Sequence, residues 1–230
     1  MKNHYDQPIG NLVHGWVTRE MPIKKILEGR YCYLERITPE KHFEDLYEVY
    51  GPKSATENWT YLPLDKFEDP ADFSAYLETV SRSKDPLHYA IIDKMTQKAL
   101  GTLALMRISP EQGTIEVGFV IYSDRLKKTR IATEAQYLAA SYAIGELGYR
   151  RYEWKCDSLN EPSKKSALRL GFVFEGVFRQ ALIYKGRNRD TAWFSIIDSE
   201  WPEVKRRLES WLDPENFTQD GKQKKSLWTC

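Results

Sequence analysis

The chain is poor in everything that would commit it to a membrane, a polyanion, a metal or a disulfide scaffold. Its three cysteines, Cys32, Cys156 and Cys230, are odd in number, lie far apart and form no CxxC pair, which argues against a disulfide framework or a thiolate zinc site. A reducing cytoplasm fits that usage. The four histidines, His4, His14, His42 and His88, share no ligand spacing, so no metal is expected, and His42 and His88 read as satisfied structural histidines. No apolar run approaches the roughly 18 residues of a membrane span, and Met1 to Gln7 leads into no signal-type apolar core. Lys and Arg number 34 against 33 Asp and Glu, a formal charge of +1, so no global field draws the protein to nucleic acid or anionic lipid. There is no internal repeat.

What is present suffices for a sizeable core: 230 residues, 41% apolar and 13% aromatic. The sequence divides into an arm over residues 1–28, one domain over 29–212 and a polar tail over 213–230. The arm carries Pro8, Gly10, Gly15 and Pro22 and shows no period. Residues 30–37 open a sheet. Thr38-Pro39 and Asp69-Pro70 each set a cap residue before a first-turn proline. Each start is followed by an apolar stripe, Phe43, Leu46, Tyr47 and Tyr50 in one case and Phe73, Tyr76, Leu77 and Val80 in the other, so two amphipathic helices are expected. Between them Trp59 and Tyr61 either line a pocket mouth or staple the helices together.

Strand-like runs follow at 88–93, 100–108 and 114–122, parted by short polar turns, which predicts an antiparallel meander. A long helix over 132–147, stopped by Gly148, leads to a strand at 152–156 that must run parallel to the one before the helix if both join one sheet. A short helix to Leu170 ends at Gly171, a hairpin turns across Lys185 to Arg189, and a last helix over 200–212 buries Trp201, Val204, Leu208 and Trp211. The fold class is α/β of the α+β kind: a mixed, mostly antiparallel sheet of about six or seven strands flanked by helices.

The chemical signal lies between Ile115 and Phe172. A basic turn opens the long helix, and backbone N–H groups at a helix N-terminus suit a phosphate, with Lys127, Lys128 and Arg130 adding full charges. The plain alternative is a solvated basic turn. Four motifs then occur in order: Ala132-Thr133-Glu134-Ala135, Glu146-Leu147-Gly148-Tyr149-Arg150-Arg151, Asn160-Glu161-Pro162-Ser163 and Leu170-Gly171-Phe172.

Together they resemble the GNAT superfamily of acyl-CoA-dependent N-acyltransferases over roughly residues 29–212, and within it the branch of ribosomal-protein Nα-acetyltransferases. The resemblance implies that acetyl-CoA is the cosubstrate, with its pantetheine arm between two splayed strands. It implies main-chain contacts from Phe119, Val120 and Ile121, and a pyrophosphate cradle of Lys127, Lys128, Thr129, Arg130, Ile131, Ala132 and Thr133. Arg130 stands where the family pattern has glycine, so its side chain either distorts the cradle or binds a CoA phosphate directly. Ser163 is implied as the acid for the departing thiolate, Asn160 orients its turn, and a backbone N–H near Val120 polarises the carbonyl. Helix capping is the alternative for Asn160 and Ser163.

Glu116 is the foremost candidate base, ahead of Asp190 and Asp157. Trp59, Tyr61 and Asp190 are the candidate acceptor contacts, and Cys156 reads as a buried apolar residue. The expected activity is acetyl transfer to a primary amine, a protein N-terminus or a small amine or amino acid, by direct attack in a ternary complex. The alternative is an acyl-CoA-binding or interaction module that has lost catalysis through Arg130. No nucleic-acid or membrane partner is expected, and a homodimer is left open.

Overall fold

The computed structural model describes residues 1–230. Strands β1 (Ile26–Glu28), β2 (Cys32–Arg36), β3 (Leu87–Asp93), β4 (Ala99–Ser109), β5 (Thr114–Tyr122), β6 (Arg151–Asp157), β7 (Val173–Tyr184) and β8 (Arg187–Ile197) form one eight-stranded sheet in the order β1-β2-β3-β4-β5-β6-β8-β7. The eighth strand beyond the expected count is β1, whose three residues are too short to carry a period and lie inside the stretch read as an arm. All pairs are antiparallel except β5 with β6, which the crossover helix α3 (Arg130–Ala140) makes parallel. This helix runs on as a π-helical turn, Ser141–Glu146.

Helices α1 (Pro39–Tyr50) and α2 (Pro70–Arg82) cover one face of the β2 to β5 region through a 12-residue cluster that includes Leu46, Tyr50, Phe73 and Leu77. On the other face α3, α4 (Glu161–Leu170) and α5 (Trp201–Leu212) enclose a 36-residue cluster. Gly171 ends α4 with φ 101 in the left-handed region, and a side chain there would also meet Val204 and Arg207 of α5. The β7–β8 turn is only Lys185 and Gly186, both at positive φ, so Arg187 and Arg189 belong to a strand and not to a loop.

The end of the N-terminal arm and the C-terminal tail both pack on the domain. Tyr149 donates its hydroxyl proton to the Glu20 carbonyl, and the Tyr142 hydroxyl accepts from the N–H groups of Ile23 and Lys24. In the tail, Phe217 and Leu227 join the main cluster while Trp228 stays exposed. No helix is long and apolar enough to cross a membrane.

Candidate active site

The site begins where two strands part. Parallel pairing of β5 with β6 covers only Thr114 to Val117 against Arg151 to Trp154. Past that point β5 stays with β4 and β6 stays with β8. Between the pairs Ala104↔Gly118 and Thr102↔Ile121, β5 carries one residue more than β4, and Phe119 takes φ 45. Such a bulge bends its strand, and here it opens the sheet at Phe119, Val120 and Ile121, where a pantetheine arm was expected.

Next to this opening lies the N-terminus of α3. Thr129 caps it: its hydroxyl donates to the Leu126 carbonyl and accepts from the Ala132 N–H at 3.2 Å. The N–H groups of Lys128, Arg130 and Ile131 have no acceptor within the protein, so three donors face outward at the positive end of the helix. Arg130 needs no glycine-like backbone, because it is already the first helical residue and the positive φ falls on Lys128. Its guanidinium turns away from the turn and stacks on Tyr31 and Phe217.

Three of the residues expected in the cradle are engaged within the protein. Lys127 gives its ammonium to Asn58 and Asp124 and its N–H to the Ser123 carbonyl. Thr133 is buried, its hydroxyl accepting from Arg169 and its N–H donating to Thr129. The Ala132 N–H is spent on the cap.

Across the opening stands the start of α4. Asn160 accepts from the Ser163 N–H at 3.1 Å, so its side chain is a helix cap. The Ser163 hydroxyl accepts from the indole N–H of Trp154 at 3.0 Å, which leaves the serine proton free to donate elsewhere. Burial pushes the neighbouring Cys156 thiol up, against a smaller opposing effect of Ser163, so the thiol is inert.

On the α1/α2 side of the opening, Glu116 is buried and accepts from Arg107 twice, at 2.9 and 2.8 Å, and from Lys155 at 2.7 Å. Lys155 also reaches Glu153 and lies 3.9 Å from the centroid of Trp193. Three of the roughly four acceptor positions of the Glu116 carboxylate are filled, so a free base is not what the geometry presents. Trp59 is 1% exposed, packed on Tyr50 with its indole N–H on Ser54, which makes it a staple and not a lining residue. Asp190 is likewise occupied, accepting from the Gln180 N–H and the Asn188 side chain. Tyr61 is half-buried beside the hairpin.

The hairpin closes over this side. Lys185 donates to the Trp59 carbonyl at 2.8 Å and to Asp65 at 2.6 Å, and the Tyr184 hydroxyl donates to Asp157 at 2.8 Å. Burial, with the Asp157 carboxylate, pushes the Tyr184 phenol up to about 12. No group of three or more His, Cys, Asp or Glu side chains is arranged to hold a metal.

The profile of the acetyltransferase (GNAT) domain matches residues 32–173, the stretch that holds the opening, the α3 terminus and the Ser163 turn. The chain belongs to the GNAT acetyltransferase family. A crystal structure of a GCN5-related N-acetyltransferase from Brucella melitensis superposes with a TM-score of 0.91 at 45% identity, covering 94% of this chain and 98% of that one. The uncharacterized N-acetyltransferase p20 of Bacillus licheniformis is 28% identical over 173 residues, 74% of this chain and 97% of its own length. The ribosomal-protein-serine acetyltransferase of Escherichia coli strain K12 is 34% identical over 103 residues, 44% of this chain and 56% of its own length.

In this acetyltransferase the acid of the Ala-Thr-Glu-Ala motif has a structural task that the sequence did not disclose. Buried Glu134 accepts from the N–H groups of Arg30, Tyr31 and Cys32, each at 2.7 Å, and so ties the β1–β2 turn to α3. A side chain at Gly29 would collide with it. Trp154 and Lys155 were also missed as site residues; the alternation Tyr152, Trp154, Cys156 marked one face of β6, but only the pairing of β6 with β5 shows what each face meets.

Proposed function

We propose that the chain acetylates a primary amine, and that a protein N-terminal α-amine suits its site better than a lysine. The observation that carries the donor side is the set of unpartnered N–H groups on Lys128, Arg130 and Ile131 beside the β5/β6 opening. These donors fit a pyrophosphate, and Ser163 on the far side of the opening is placed to hand a proton to a thiolate. Acetyl-CoA, when bound, supplies the activated acetyl thioester. The acceptor nitrogen would bond to the carbonyl carbon as the carbon–sulfur bond breaks, the Ser163 hydroxyl would give its proton to the departing thiolate, and the proton shed by the nitrogen would pass to solvent, from which Ser163 regains one. The bulge at Phe119 and Val120 turns main chain towards the carbonyl, where an N–H would offset the developing charge.

The acceptor class follows from proton affinity. An α-amine with a pKa near 8 needs about 1.4 kcal/mol to be neutral at neutral pH, whereas a lysine near 10.4 needs roughly 4–5 kcal/mol. With Glu116 held by Arg107 and Lys155, the low-pKa amine is the better match. One relative is named for acetylating a ribosomal protein, which supports a protein acceptor. The test is a panel of peptides, amino acids and small amines with acetyl-CoA, read by release of free thiol. Turnover confined to α-amine peptides is the expected result. Thermal stabilisation by acetyl-CoA with no thiol release across the panel would replace the enzyme with a binding module.

A further inference from the structure

We infer that His88 is a hydrogen-bonding contact for the acceptor amine, a role that rests on the acceptor side of the reading above. Four observations lead there. His88 is 3% exposed, yet its Nδ1 has no partner and its other ring nitrogen makes no hydrogen bond to the protein. A buried ring that could have been a phenylalanine is instead an imidazole with unspent capacity, and a buried polar group left unpaired costs stability.

The ring also stands at the reacting end of the site. His88 pairs with Ala104 and Ala104 with Gly118, so strand alternation puts His88, Ala104, Gly118 and Glu116 on one face of the sheet. Two ladder spacings, roughly 10 Å, separate His88 from Gly118, and the residue between them is an alanine. The ring packs on Phe119, its centroid 5.1 Å away, and Phe119 is the positive-φ residue of the β5 bulge, just past the last β5–β6 pair at Val117. The thioether of Met106 covers Gly118 from the same face, so an unbranched, mobile side chain caps this strip of small residues.

Glu116, two residues from Gly118 on this face, is already engaged, since it takes Arg107 and Lys155. Burial, with a lesser contribution from Arg36, holds His88 near pKa 4, so the ring is neutral at neutral pH and one of its nitrogens accepts a hydrogen bond. An amine brought to this face meets that nitrogen with its N–H and keeps its lone pair for the carbonyl. His88 makes and breaks no covalent bond in this role.

The test compares wild type with His88→Phe and His88→Gln, using acetyl-CoA and tetra-alanine amide as the acceptor. His88→Phe should melt no lower than wild type while kcat/KM for the peptide falls about tenfold, the loss of one hydrogen bond, and KM for acetyl-CoA stays unchanged. His88→Gln, which keeps an acceptor atom, should recover part of that loss. Full peptide kcat/KM in His88→Phe overturns the inference, and so does a parallel fall of melting temperature and activity in both variants. If wild type leaves tetra-alanine amide unacetylated, the acceptor class has failed. His88 is then judged by the 15N shifts of its ring as methoxyamine, uncharged at neutral pH, is added with CoA present. A ring that moves supports the contact, and an unmoved ring overturns it.

Discussion

The guanidinium carbon of Arg130 stands 4.2 Å from the centroid of the Tyr31 ring, and 5.5 Å from that of Phe217 in the tail. The residue that breaks the family's glycine pattern is therefore a clamp between the β1–β2 turn, α3 and the C-terminal segment. Arg130→Ala should lower stability by about 1 kcal/mol, in the range of a cation–π contact. KM for acetyl-CoA should change less than about twofold, since the proposed cradle consists of backbone N–H groups. Urea titration and initial rates check the two halves, and a large rise in KM would restore the view that the side chain itself binds phosphate.

Ser163 carries the proton donation in the proposed mechanism. Ser163→Ala should reduce kcat about 100-fold while acetyl-CoA binds as before, a loss at the lower end of general-acid catalysis. The same change strips the Trp154 indole of its acceptor, a cost of about 1–3 kcal/mol that denaturation would register. An unaltered kcat removes Ser163 from the chemistry and leaves it as a packing partner.

Glu116 is predicted to matter first for stability. Glu116→Gln takes away the charge shared by Arg107 and Lys155 and should cost about 3 kcal/mol, as for other broken buried pairs. The acidic limb of the peptide kcat/KM profile should keep its midpoint in this variant. Loss of that limb would instead assign Glu116 as the base.

The pH dependence of stability has a definite sign. His88 titrates near 4 in the folded chain because of burial, with Arg36 adding to it. The unfolded ring titrates near 6.5. Between these values the unfolded chain binds a proton that the folded chain refuses, so stability is full above about 6.5 and falls as pH drops towards about 4, by roughly 3 kcal/mol. His42 is shifted the same way by burial, although Glu35 and Thr38 oppose the shift, and adds to the fall. Urea midpoints from about pH 7 down to about pH 4 should show a shallower loss in His88→Phe than in wild type, and equal slopes would contradict the assignment.

The tail is part of the core. Leu227 is 1% exposed within the main cluster, so Leu227→Ala should cost about 2–5 kcal/mol. Trp228→Ala should cost much less, since its ring is exposed, with the Arg207 guanidinium 5.6 Å from its centroid. Thermal melts of the two variants would decide between a docked and a free C-terminus.

Much of the fold was readable in advance. The starts of α1 and α2 rest on local chemistry, an N-cap position followed by proline, and the Asn160 cap and Gly171 stop of α4 are just as local. The order of the four motifs was enough to place the chain in its family. Strand β1 and the extent of β8 were missed because three residues hold no period, and because a two-residue turn let arginines into a strand where a basic loop had been expected.

The individual site residues were less legible, since a sequence names side chains but not what they touch. Trp59 has the composition of a pocket lining, and Lys127 that of a phosphate ligand. Packing against Tyr50 and pairing with Asn58 and Asp124 gave them other work.

From Ile115 to Phe172 the sequence by itself determined that a strand, a basic helix start, a parallel strand and a capped helix would follow one another. Those features depend on neighbours a few residues apart. Only the tertiary structure decided that Arg130 serves the tail, that Glu116 is neutralised by Arg107 and Lys155, and that His88 lies buried and unpaired beside Phe119. Burial and pairing depend on residues far apart in the chain, and they alone set which groups keep a free proton, lone pair or charge.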